Sequence, residues 1–184
     1  MNLDILARLY HGPAVMIARI IGRTACGHFA DERLMSSFFA FLHHVAAFSM
    51  VAALVLEFVL IKEELTVRIA RKILFADLAF GASAGAVLVV GLLRVFFFEK
   101  GAAYYFQSAP FLAKFLLFAI IGLLSIVPTR EFLSWRKSLK EGQVPAVDDR
   151  KLRSIRSILH LELAAIVLLI LNATLMARGI GYFG

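Results

Sequence analysis

The chain has 184 residues, 61% of them hydrophobic and 18% charged, with a mean hydropathy of +0.83. A water-soluble domain of this length is nearer half apolar and a quarter charged, so this composition excludes one and points to the bilayer. The net charge of +7 would suit nucleic acid in a soluble protein. Here the basic residues flank apolar runs, which assigns them to membrane orientation and lipid headgroups and leaves no nucleic-acid partner.

Residues 1–35 read as an N-terminal extension. The stretch "AVMIARIIGR" is too short for a signal peptide and is interrupted by Arg19, and "TACG" makes a poor cleavage site. Pro13 can open a helix with Ile17, Ile20 and Ile21 on one side and Arg19 and Arg23 elsewhere. Such a helix is expected to lie along the membrane surface. Cys26, the only cysteine, excludes an internal disulfide and a multi-thiolate metal site. With His28 it supplies a loop thiol and a loop imidazole, short of a metal site.

Residues 36–184 carry four apolar runs, at about 38–61, 73–98, 110–128 and 157–177. Each has about the ~17–25 residues that cross a bilayer core as a helix. The expected architecture is all-α, a four-helix transmembrane up-down bundle. Segment 62–72 holds four Lys/Arg and segment 129–156 holds eight, against one in 99–109 and one after Ala177. The positive-inside rule then places the first and third loops in the cytoplasm and both termini outside.

Ionisable residues inside such spans are costly and by default functional. The first span holds His43, His44 and Glu57, the second Asp77 and Arg94, the third Lys114, and the fourth His160 and Glu162. Folding the chain at its loops sorts them into two bands roughly 20 Å apart at 1.5 Å rise per residue. Glu57, Asp77, His160 and Glu162 fall near the cytoplasmic side. His43, His44, Arg94, Lys114 and Asn172 fall near the outer side. His43 and Glu57 are fourteen residues apart and share a helix face, whereas His44 is turned from Glu57 by about 140°. The stretch "GASAG" at 81–85 offers a small-xxx-small face for close helix approach, expected on the same side as Asp77.

The cytoplasmic band, with three carboxylates and an imidazole, suits proton relay, a hard or borderline metal, or a structural network braced by Arg71, Lys72 or Arg156. It lacks the paired Glu-x-x-His motifs of di-metal bundles. The outer band pairs two imidazoles with two cations, which suits an anionic ligand such as the propionates of a haem whose iron His43 would hold. Phe96, Phe97, Phe98, Tyr104, Tyr105 and Phe106 add an aromatic rim of the kind found at membrane interfaces. His43 and His160 are too far apart to ligate one iron, so a second axial ligand would be His44, Lys114, Met176 or none.

The motifs "LHHVAAF", "FADLAFGASAG", "GLLRVFFFEKGAAYY", "AKFLLFAIIGLLSIVPTREFLSWRK" and "LHLELA…LMARGIG" resemble the bacterial membrane family filed as domain of unknown function 2214, over about residues 38–181. That family has no agreed activity, so the resemblance implies an architecture and no reaction. A more distant likeness, through a histidine early in the first span and Lys114 early in the third, is to the four-helix protoporphyrinogen oxidase family and the copper-resistance membrane domain. It implies porphyrin binding with a b-type haem.

The expectation is an inner-membrane protein binding haem or a related tetrapyrrole in the outer half of the bundle. His43 or His44 would be the ligand, Arg94 and Lys114 would pair with the propionates, and Glu57, Asp77, His160 and Glu162 would carry protons or brace the helices. The alternatives are a metal-ion or proton transport protein and an accessory subunit of a larger membrane complex or homo-oligomer. No substrate follows from the sequence, and whether the protein is an enzyme stays open.

Overall fold

The structure, a computed structural model, describes residues 34–98, 107–178 and 180. The chain divides into two compact units, Met1–Phe41 and Leu42–Gly184. In the first, residues 34–41 are described and are helical. The expected surface helix, Cys26, His28, Tyr104, Tyr105 and Phe106 lie outside the described residues.

The elements are α1 (Leu34–Leu60), α2 (Val67–Leu93) continued by a π turn (Arg94–Phe98), α3 (Ala109–Ser134), α4 (Arg136–Lys140) and α5 (Asp149–Ala177). Four of the helices are long and apolar enough to cross a membrane, and the described residues contain no strand. Local chemistry starts the helices. Thr66 Oγ1 accepts from the N–H of Ile69 at 3.2 Å at the head of α2. Pro110 sits in the first turn of α3, where its missing N–H is no loss. Asp148 caps α5, with Asp149 following in the first turn, where a negative charge suits the helix dipole.

The helices outrun the apolar stretches. The run expected to end at Pro128 continues to Ser134. A proline inside a helix removes one hydrogen bond and crowds the preceding turn, but membrane helices tolerate this where neighbours surround the site. Pro128 is fully buried, and the residues after it, Phe132 and Trp135, are core residues. After α4 the helical path ends at Gly142, whose φ of +72° is left-handed. There Gly142 N–H donates to Leu139 O at 3.3 Å and Gln143 N–H to Ser138 O at 2.9 Å, satisfying carbonyls that the helix end leaves open.

The core is densest toward the loops at 61–66 and 135–148. Leu54, Ile73, Phe132, Ile155 and Leu159, one or two from each spanning helix, are fully buried there. Arg156 donates to Ile61 O through Nε at 3.1 Å and Nη2 at 3.0 Å. Arg71 Nη2 donates to Leu139 O at 3.0 Å. At the opposite end the buried apolar residues among those described are Val95, Pro110 and Phe111, with Met176 packed against Val95 and Phe111.

One expectation about packing is reversed. Gly81 and Gly85 do not share the buried face of Asp77: both are exposed, and a Cβ on either would meet nothing within 4 Å. The buried residues of α2 are Ala70, Ile73, Ala76, Asp77 and Phe80, a stripe whose centre lies about 75° around the axis from Gly81 and about 115° from Gly85 at ~3.6 residues per turn.

Candidate functional site

Two polar groups lie at opposite ends of the long helices. The acidic group consists of Glu57 on α1, Asp77 on α2 and Glu162 on α5, with 1%, 5% and 1% of their surface exposed. Glu57 lies within electrostatic reach of Asp77 and Glu162, and Glu162 of Asp77. Thr129 Oγ1, one residue past the helix proline, donates to Asp77 Oδ1 at 2.6 Å, and Arg136 acts on the same carboxylate electrostatically. Glu57 Oε1 and both carboxylate oxygens of Glu162 have no hydrogen-bond partner. The arginines that a bracing network would use are engaged elsewhere, since Arg71 and Arg156 donate to backbone carbonyls. The sequence puts these three acids in one band near one end of the spans, and in the structure all three are buried.

His160 is not part of this group. Its side chain is exposed, its Nδ1 lies 2.7 Å from Arg156 O, and its ring meets Phe58 edge-on at 4.4 Å. Two positions along a helix are about 200° of rotation, so burying Glu162 turns His160 outward.

The basic group consists of His43 on α1, Arg94 at the start of the π turn and Lys114 on α3, all half-buried and electrostatically coupled. His43 lies across Gly91, where an added Cβ would come within 3.2 Å of its Cε1, so the glycine makes room for the ring. His43 Nδ1 is buried and has no hydrogen-bond partner, while the ring is hydrogen-bonded to the Val87 backbone. The Lys114 ammonium sits 5.6 Å from the centre of the Phe111 ring. His44 is exposed, its ring edge-on to His43 at 6.1 Å. Asn172 donates within its own helix, to Leu168 O at 2.9 Å. Of the outer band, then, His43, Arg94 and Lys114 converge, while His44 and Asn172 do not.

Around this group lie two small cavities. One of about 60 Å³ is bordered by His43, Gly91, Arg94, Phe111, Lys114 and Met176. Another, of about 90 Å³, shares His43, Gly91 and Lys114 and runs among Val87, Phe118 and Leu169. The donor set suits a haem, with His43 for the iron, Arg94 and Lys114 for propionates and Met176 close by. The space does not: pockets that enclose a drug-sized ligand run to ~300–1,000 Å³, and the described residues enclose no tetrapyrrole. Nor, among the described residues, are three His, Cys, Asp or Glu side chains disposed to hold a metal ion.

Thr129 and Gly91 were not singled out from sequence. Gly91 carried a signal in its position one turn before Arg94, and Thr129 had none until the helix was seen to run through Pro128.

The family model described as predicted membrane protein (DUF2214) matches residues 35–181. No curated protein and no solved structure matches the chain, so the likeness to the protoporphyrinogen oxidase and copper-resistance families gains no support.

Proposed function

The chain belongs to the DUF2214 family of predicted membrane proteins, and from that premise we propose that it is a proton-transport protein of the bacterial inner membrane. Glu57, Asp77 and Glu162 form its proton-holding group on the cytoplasmic side, where the loops are richest in Lys and Arg. The observation that carries this reading is the burial of Glu57 and Glu162, each 1% exposed, on different helices and with unpartnered carboxylate oxygens. Charges placed so deep among apolar helices are expensive, and like charges brought together add to that expense. A proton shared within the group offsets both. Three carboxylates within mutual reach can pass it between helices, with Thr129 fixing the orientation of Asp77 and Arg136 marking the route toward the basic loop. A metal ion is the weaker cargo, because among the described residues no set of three His, Cys, Asp or Glu side chains converges on one.

Haem or another tetrapyrrole with a redox role stands behind this reading. Its donor set is on hand at His43, Arg94 and Lys114, but its space is not. The test is proton equilibration in vesicles that contain the purified protein and an internal pH dye, under an imposed potential. Wild type is expected to exceed protein-free vesicles, and Glu57→Gln or Glu162→Gln to return to their level. Equal flux in wild type and both variants would remove the proposal.

A further inference from the structure

We propose that the basic end of the bundle binds one small monovalent anion, a halide such as chloride, between His43, Arg94 and Lys114. The site is a cavity of about 60 Å³, roughly twice the ~30 Å³ share of a water molecule in the liquid. That admits a halide with a water beside it and rejects a tetrapyrrole, a sugar acid or a lipid phosphate with its ester arms.

Charge selects the same class of ligand. Two cationic side chains border the cavity, close enough to oppose one another, and no carboxylate borders it among the described residues. Among those residues Lys114 has neither an ion pair nor a hydrogen bond, and its neighbour is the Phe111 ring. An ammonium half-buried among membrane helices is costly without a counter-charge, and an anion in the cavity supplies one.

The imidazole supplies a polar anchor for the water beside the ion. His43 Nδ1 is buried and without a partner, while the ring is held by a hydrogen bond to the Val87 backbone and by the room that Gly91 leaves. A buried polar atom with no partner calls for a ligand or water. The π turn that begins at Arg94 is a local departure from α-helix of the kind that recurs at functional sites. This inference does not depend on the proton reading, because it concerns other residues at the other end of the helices.

The test is the thermal unfolding midpoint of the full-length protein in detergent, titrated with sodium chloride, bromide or gluconate at matched ionic strength. A ligand that binds only the folded state raises the midpoint with a saturable dependence on its concentration. Chloride and bromide are expected to raise it by several degrees, and gluconate, too large for the cavity, is not. The chloride effect should disappear in Lys114→Met and persist in Lys72→Met, a lysine at the opposite end. Should Lys114→Met not fold, Gly91→Ala serves in its place, since its Cβ displaces the His43 ring. No difference between chloride and gluconate in wild type, or an undiminished chloride effect in the folded variants, would overturn the proposal.

Discussion

The two ends of this bundle solve the same problem in opposite ways. Each holds ionisable side chains among apolar helices. At the acidic end Glu57, Asp77 and Glu162 are sealed beneath a dense core of Leu54, Ile73, Phe132, Ile155 and Leu159. At the basic end His43, Arg94 and Lys114 are half-buried around small cavities, with Val95, Pro110 and Phe111 the buried apolar cover among the described residues. Sealing suits a group whose only cargo is a proton, which needs no volume. Open space suits a group that accommodates something larger. The difference in packing is therefore informative about what each end handles, beyond the sign of its charge.

That comparison can be broken by mutation. The largest effect is expected in the core of the acidic end, where Phe132→Ala should destabilise by about 3–5 kcal/mol through lost burial and the cavity left behind. Phe111→Ala, beside space that already exists, should fall below that range. Thermal unfolding of the two detergent-purified variants checks the order, and equal losses would mean the two ends are equally packed. Next in size is Arg156→Ala, which removes both donors to Ile61 O and should cost about 1.5–3 kcal/mol by the same measurement, as for hydrogen bonds from a charged group. Gly142→Val, forced into a left-handed conformation at φ +72°, should cost about 1–2 kcal/mol. Its effect belongs to the loop and should leave proton flux intact.

The smallest effect sharpens the contrast between glycines. Gly85→Ala meets open space inside a helix and should stabilise by about 0.5–1 kcal/mol while leaving the basic site unchanged. Gly91→Ala meets His43 Cε1 at 3.2 Å and should disturb the imidazole environment, which a histidine NMR resonance would report. The haem reading has its own check. The purified protein is expected to show no Soret band even from haem-supplemented cells, and a band abolished by His43→Ala would reinstate that reading.

What the sequence made legible was governed by period and composition. Runs of about twenty apolar residues announced the spans, and the fourteen-residue spacing of His43 and Glu57 put them on one face. The same geometry turned His44 away from Glu57. What stayed illegible depends on how helices rotate against one another. The glycines at 81 and 85 were expected on the Asp77 side, yet a modest rotation of α2 buries Ala76 and Phe80 and leaves the glycines exposed. The bounds of α3 were hidden because Pro128 signals a stop in isolation, whereas burial of the following Phe132 and Trp135 carries the helix through it. Arg71 and Arg156 were legible as cations able to reach inward, but not as donors to the carbonyls of Leu139 and Ile61. Their choice leaves Glu57 and Glu162 without an arginine beside them, and Asp77 with Arg136.

The measurement that bears most directly on the function is proton equilibration in vesicles carrying Glu162→Gln, set against Glu131→Gln. Glu131 is also a glutamate on a long helix, but it is engaged by Lys151 at 3.2 Å and lies outside the buried group. Flux lost with Glu162→Gln and kept with Glu131→Gln is the expected result. Flux kept in both, with both variants folded, would contradict a proton-holding role for the acidic end.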